Sequence, residues 1–290
     1  MVDTSSAPPA VKRAAQTLSV AAGRLTSPAR VQPGFLITGG QRCGTTSMYR
    51  ALSAHPAVLK PVLHKGVHYF DTGYDHGPAW YRAHFPTRAA AWRVERRVGV
   101  RPLAFESAPY YLCHPLAAER IARDLPDVRL IILLRDPVER AYSAHAHELA
   151  RGFETETSFE RALELEPERL AGEVDKIITD PSYNSHSHQH HAYVERGHYV
   201  EYLERLEKIF GRARLHVVDS HEFFADPGPV YDGVIDFLGL PHLGHPAFKR
   251  HNARERAPLS AALRARLTDH FEPYDARLGE WLGRPPSWRT

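Results

Sequence analysis

Phe35-Leu-Ile-Thr-Gly-Gly-Gln-Arg-Cys-Gly-Thr-Thr-Ser47 is the stretch on which the fold turns. It runs from an apolar, strand-like start through a glycine turn into a helix opening, the layout of a phosphate cradle. Gly39 and Gly44 have the Gly-x4-Gly spacing of a Walker A loop, and glycines let backbone amides approach an anion closely. The lysine that should precede the hydroxyl residue is absent, because Thr45 stands there. A loop that grips a γ-phosphate needs that lysine. One that grips a 5′-phosphate with a single further group does not, and Arg42 supplies charge within the turn. The expected ligand is a nucleotide other than ATP.

Arg129-Leu-Ile-Ile-Leu-Leu134 is a continuous apolar run suited to a strand buried on both faces. It ends in Arg135-Asp136-Pro137, followed by helical spacing to Leu149. An arginine at the carboxyl end of a parallel strand lies where open α/β sheets bind ligands. Arg135 and Ser143, two turns into the next helix, form a candidate clamp for a second phosphate. Further strands are expected at 35–38, 58–60, 103–106 and 214–218, with helices at 45–54, 78–85, 115–124, 137–150, 199–210 and 228–238. This alternation predicts one α/β domain at 34–290, a P-loop-type parallel sheet flanked by helices. Residues 1–33, rich in Ala, Ser, Pro and Arg, read as a mobile tail carrying at most one amphipathic helix.

The charge balance, 37 basic against 34 acidic residues, suits a polyanionic ligand but lacks the concentrated patch of a nucleic-acid binder. Two cysteines exclude a disulfide framework. Helix-terminus amides could lower the Cys43 pKa, although packing is the simpler role. Nothing reads as a membrane-spanning segment, and a cytoplasmic enzyme without stable membrane insertion is expected. The acidic run 154–168 reads as a solvated helix face. His186, His188, His190 and His191 invite a metal reading, but no cysteine or spaced carboxylate joins them, and a polar loop is expected instead.

GGQRCGTTSMYRALSAHP and RLIILLRDPVERAYSAH resemble the 5′-phosphosulfate and 3′-phosphate loops of sulfotransferases that use 3′-phosphoadenosine-5′-phosphosulfate (PAPS). The likeness is to bacterial members related to heparan-type Golgi enzymes. HKGVHYFD, ESAPYYL, VERGHYVEYLERL and VVDSHEFFADPGPVYDGVIDFLGLP follow in the family's order, so it runs from Phe35 nearly to the C-terminus. It implies sulfuryl transfer from PAPS to a hydroxyl or amine of a small-molecule, glycolipid or carbohydrate acceptor, with adenosine 3′,5′-bisphosphate (PAP) as product and no metal. It places Arg42, Cys43, Gly44, Thr45, Thr46 and Ser47 at the 5′-phosphosulfate, and Arg135 and Ser143 at the 3′-phosphate. Lys249, Arg250, Arg254 and Arg256 match more loosely a basic segment that closes over the nucleotide.

The chain departs from the family where the base should be. Heparan-type relatives read Lys-Glu-x-His-Phe-Phe, but Gly66 occupies the glutamate's place in Lys65-Gly-Val-His-Tyr-Phe70, and Ser107 replaces a frequent lysine. His68, Glu106 and His64 remain as candidate bases, His68 first because imidazole titrates near neutrality. Lys65 is expected to carry charge on the transferring group. Tyr69, Phe70, Tyr74, Trp80, Tyr110 and Tyr111 suggest an aromatic-lined pocket, though they fit an ordinary core equally well. Two alternatives stand: a silent PAPS or PAP binder, and a small-molecule kinase, for which a Walker lysine and a magnesium-binding acid are poorly placed.

Overall fold

Five strands form one parallel sheet in a computed structural model that describes residues 9–249 and 257–290. They are β1 (Pro33–Ile37), β2 (Val58–Leu59), β3 (Leu103–Ser107), β4 (Arg129–Leu134) and β5 (Leu215–Asp219), in the order β2-β3-β1-β4-β5. The helices are α1 (Pro9–Leu25), α2 (Thr45–Ser53), α3 (Pro78–Ala83), α4 (Arg88–Val98), α5 (Ala117–Asp124), α6 (Pro137–Arg151), α7 (Phe159–Leu170), α8 (Glu173–Thr179), α9 (His186–His190), α10 (Tyr199–Phe210), α11 (Ser220–Ala225), α12 (Pro227–Leu238) and α13 (Ala261–Leu282).

Alternation along the strands sorts the core into two layers. Leu36, Leu130, Ile132 and Leu134 face Ile121 of α5 and Leu203, Leu206 and Phe210 of α10. Phe35, Ile37, Ile131 and Leu133 face Met48 and Leu52 of α2 and Val234, Ile235 and Leu238 of α12. Each fully buried aliphatic side chain contributes about 1.5–3 kcal/mol, so a parallel sheet covered on both faces tolerates its long apolar strands. A third cluster packs α6 against α7 and α13 through Val138, Ala141, Phe159, Leu267 and Phe271.

Three expectations change here. The interval set aside as a tail is partly docked: α1 packs on α3, where Gly23 lies against Ala83, and β1 already opens at Pro33. The acidic run is not wholly solvated. Glu154 is buried against Arg169 at 2.7 Å, and buried Glu166 accepts the Val194 and Glu195 amides at 2.8–2.9 Å. The histidine segment is the short helix α9 rather than a loop.

Candidate active site

The phosphate cradle is built by the backbone. After β1, Gly39 lies so close to β4 that a Cβ would stand 2.2 Å from the Leu133 nitrogen, so only glycine fits. Arg42 and Gly44 both adopt left-handed φ, 71° and 87°, which turns the chain onto the N-terminus of α2. The result opens a cleft of about 720 Å³ at the carboxyl ends of the strands, where open α/β sheets bind ligands. Arg42, Gly44, Thr45, Thr46, Lys65, His68, Arg135 and Ser143 all line it. Cys43, Ser47 and Glu106 do not.

The phosphate residues are arranged more tightly than two separate clamps. Arg42 Nε donates to Ser143 Oγ at 3.0 Å, joining the residue expected at the 5′-phosphosulfate to one expected at the 3′-phosphate. Arg135 stands at the end of β4, its side chain 3.4 Å from Glu139 and its carbonyl accepting the Tyr199 hydroxyl at 2.9 Å. Cys43 points into the core, and burial pushes its thiol up to about 11, the opposite of an activated cysteine. Ser47 is buried on the inner side of α2. Arg250, Arg254 and Arg256 lie outside the described residues, and Lys249 at their border is exposed.

The facing wall is the segment 64–71, held by side chains. Lys65 Nζ reaches across to Thr45 Oγ1 at 3.1 Å and Thr46 Oγ1 at 3.2 Å, and burial lowers its pKa to about 8. Gly66 is required where it stands, because a Cβ would meet the Ser107 carbonyl oxygen at 2.6 Å. His68 has φ of 57°, a left-handed conformation rare outside glycine. Its Nδ1 is 2.8 Å from Asp71 Oδ2, and its side chain remains 45% exposed, lining the cleft. Burial acts to lower the imidazole pKa, but the hydrogen bond and charge of Asp71 outweigh it, and the net shift is upward.

Glu106 is sealed beneath this segment rather than open to the cleft. It accepts the Val67 amide and, at 3.0 Å, the Tyr111 hydroxyl. That hydroxyl in turn accepts the Tyr69 amide at 2.8 Å. The two amides flanking the left-handed His68 are therefore both held. Burial raises the Glu106 carboxyl to about 7. Most of the aromatic residues expected around an acceptor belong to the core: Tyr69, Phe70 and Tyr111 are buried, and of the six only Tyr110 lines the cleft.

Sequence reading missed a polar network behind the cradle. Gln41 Nε2 donates to buried Glu148 at 2.6 Å, His190 Nδ1 meets the other oxygen of Glu148 at 2.8 Å, and Arg196 donates to Gln41 at 3.0 Å. Of the remaining histidines of 186–191, His188 pairs with the Tyr110 hydroxyl, while His186 and His191 share the Phe153 carbonyl. Among the described residues no group of three or more His, Cys, Asp or Glu is placed to hold a metal ion.

A lysine-free glycine cradle facing Arg135 at the end of the neighbouring strand β4 is the layout of an anion site at the carboxyl edge of an open α/β sheet. The chain belongs to the sulfotransferase domain family, whose pattern matches residues 32–252. It is similar to the membrane-associated sulfotransferase kil1 of Dictyostelium discoideum, at 23% identity over 89% of this chain and 67% of that protein. It is 25% identical to the mouse bifunctional heparan sulfate N-deacetylase/N-sulfotransferase 4, covering 88% of this chain but only 31% of that enzyme. The crystal structure of a sulfotransferase from Alicyclobacillus acidocaldarius superposes with a TM-score of 0.62 at 29% identity, covering 90% of this chain and all of that one. Sulfuryl transfer is the reaction class of the family, and these likenesses leave the acceptor undefined. No helix among the described residues is long and apolar enough to cross a membrane.

Proposed function

We propose that this protein moves a sulfuryl group from PAPS to a hydroxyl or amine of a small-molecule, glycolipid or carbohydrate acceptor, with His68 as the base. The observation that carries this is His68, held by buried Asp71 and lining the same cleft as Lys65, Thr45 and Thr46. With Nδ1 occupied by Asp71, the other ring nitrogen is the one left to take a proton. The oxyanion donors Thr45, Thr46, Arg42, Arg135 and Ser143 suit a nucleotide bearing phosphate at both ends of its ribose.

In this reading the acceptor oxygen or nitrogen forms a bond to sulfur as the bond from sulfur to the bridging oxygen breaks. The acceptor's proton passes to His68, and the electron pair stays on the bridging oxygen of departing PAP. Lys65 and Arg42 neutralise that oxygen and the sulfuryl oxygens. Glu106 positions His68 through the Val67 amide and Tyr111 instead of acting as base. No step is routed through a metal, a nucleic acid or an inserted membrane segment. Both cysteines are unpaired thiols, which suits a cytoplasmic setting. In this reading His68 takes the role of the missing glutamate, which counts against the silent-binder alternative.

The test is PAP formation from PAPS with a panel of acceptors, for wild type and His68→Ala. Acceptor-dependent PAP release by wild type and not by the variant supports the proposal. Tight PAP binding without turnover on any acceptor would move the protein to the silent binders.

A further inference from the structure

A second cleft, of about 570 Å³, lies at the amino ends of the same strands, where β1 starts at Pro33 and β3 at Leu103. Each of these strands has five residues, about 16 Å at the usual rise, so the cleft is separated from the catalytic one by the length of the strands. Its volume falls within the roughly 300–1,000 Å³ of small-ligand sites. Four arginines line it, Arg30, Arg82, Arg88 and Arg101, against one carboxylate, Glu95. The whole chain, by contrast, has 37 basic residues to 34 acidic ones.

Two of the arginines are built into the cleft wall and two stand at its mouth. Arg30 and Arg82 are half-buried, while Arg88 and Arg101 stand exposed at the rim. Arg30 is held by neutral groups, donating to Thr26 Oγ1 at 2.9 Å and to the Phe85 carbonyl at 2.5 Å, and burial pulls its pKa below the ordinary value. The Arg82 Nε is fully buried with no hydrogen-bond partner among the described residues. None of the four arginines is ion-paired with a described carboxylate. Trp92, also on the wall, is 58% exposed. Guanidinium forks in a concave, half-desolvated setting match a tetrahedral oxyanion, and an exposed indole matches a ring or an interface beside it. A compact cleft with four arginines, rather than an extended basic track, favours one such group over a nucleic-acid strand.

We propose that this second cleft binds a phosphate or sulfate monoester, held by Arg30, Arg82, Arg88 and Arg101 with its substituent against Trp92. The ester comes either from a soluble small molecule or from a lipid headgroup.

Phenyl phosphate is the soluble probe, and phosphatidylcholine vesicles doped with phosphatidic acid are the membrane probe. Calorimetry should show phenyl phosphate binding that weakens at least about tenfold in Arg88→Ala/Arg101→Ala, the loss expected for charged hydrogen bonds, and persists in Arg135→Ala. Vesicle co-sedimentation of wild type but not of the double variant assigns the ester to a lipid. Phenyl phosphate binding without sedimentation assigns it to a soluble ligand. Thermal melts and PAP affinity of the double variant should match wild type, since neither residue touches the catalytic cleft. Arg101→Gln alone, with a smaller loss, serves if the double variant melts early. Binding of neither probe, or equal binding by wild type and variants, overturns the proposal.

Discussion

The two walls of the catalytic cleft are made by different means. The phosphate wall owes its shape to the backbone: Gly39 pressed onto β4, left-handed turns at Arg42 and Gly44, and the N-terminus of α2. The opposite wall, 64–71, owes its shape to side chains that hold its amides, Glu106 on Val67 and Tyr111 on Tyr69, with Asp71 on the His68 ring. A wall made of backbone keeps its shape when single side chains change, so each affinity loss there traces to the charged group removed. A wall made of side-chain clamps loses alignment one clamp at a time. Binding of the nucleotide and turnover should therefore come apart under mutation.

The largest effect is expected at His68. His68→Ala should lower turnover by about 10²–10⁴ while leaving PAP affinity nearly unchanged, as measured by steady-state kinetics and calorimetry. Near-wild-type turnover would reassign the base to His64, or to an amine acceptor arriving deprotonated. Arg135→Ala should do the reverse, weakening PAP by about 1.5–3 kcal/mol and AMP far less. Equal losses for both ligands would remove the 3′-phosphate from Arg135.

Restoring the family's glutamate should fail. In Gly66→Glu the new Cβ meets the Ser107 carbonyl, so stability should fall by about 1–3 kcal/mol in urea unfolding and turnover should drop. A gain in turnover would show that the segment yields more easily than its packing implies. Asp71→Asn should cost about tenfold in kcat with KM little changed, because the ring keeps its place but loses its charged partner. Wild type requires the imidazole unprotonated, so its activity should rise with pH through a pKa above 6.5. The Asn variant should shift that limb to lower pH, and an unmoved limb would detach it from His68.

The smallest effect is at Glu106. Its carboxyl is raised from 4.5 to about 7 on folding, so between these values the folded state binds more protons and loses stability as pH rises. Glu106→Gln should flatten that decline in thermal melts and reduce kcat by no more than about tenfold. A loss rivalling that of His68→Ala would return Glu106 to the role of base.

All five strands were legible in the sequence: the central β1 and β4 as continuous apolar runs that burial on both faces demands, the edge strands β2 and β5 as short apolar pieces bounded by proline or glycine. The cradle was legible for the same local reason. Helix α4 was not: none of its residues is buried, and its narrow stripe of Ala91, Val94 and Val98 is outnumbered by four arginines and a glutamate. Helix α13 does bury Leu263, Leu267, Phe271 and Leu278 at helical spacing, but Pro273 and a buried Asp275 paired with Arg289 interrupt the pattern. Within the site, Asp71 went unread beside His68 although the two are only three residues apart, because nothing in that spacing marks a pair outside a helix. Glu106 with Val67 and Glu148 with Gln41 are joined only by the crossing of β3 and α6 with distant segments, which no local spacing encodes.

Lys65 carries a further thermodynamic consequence. Resting between two threonine hydroxyls with a pKa near 8, it is only partly protonated in mildly alkaline solution. An arriving sulfuryl or phosphoryl anion favours the charged ammonium and raises that pKa. Ligand entry at pH 8 is thus coupled to the uptake of a fraction of a proton from the medium. The measured heat of binding will then vary with the ionisation enthalpy of the buffer, and donor affinity will fall as the solution is made more basic.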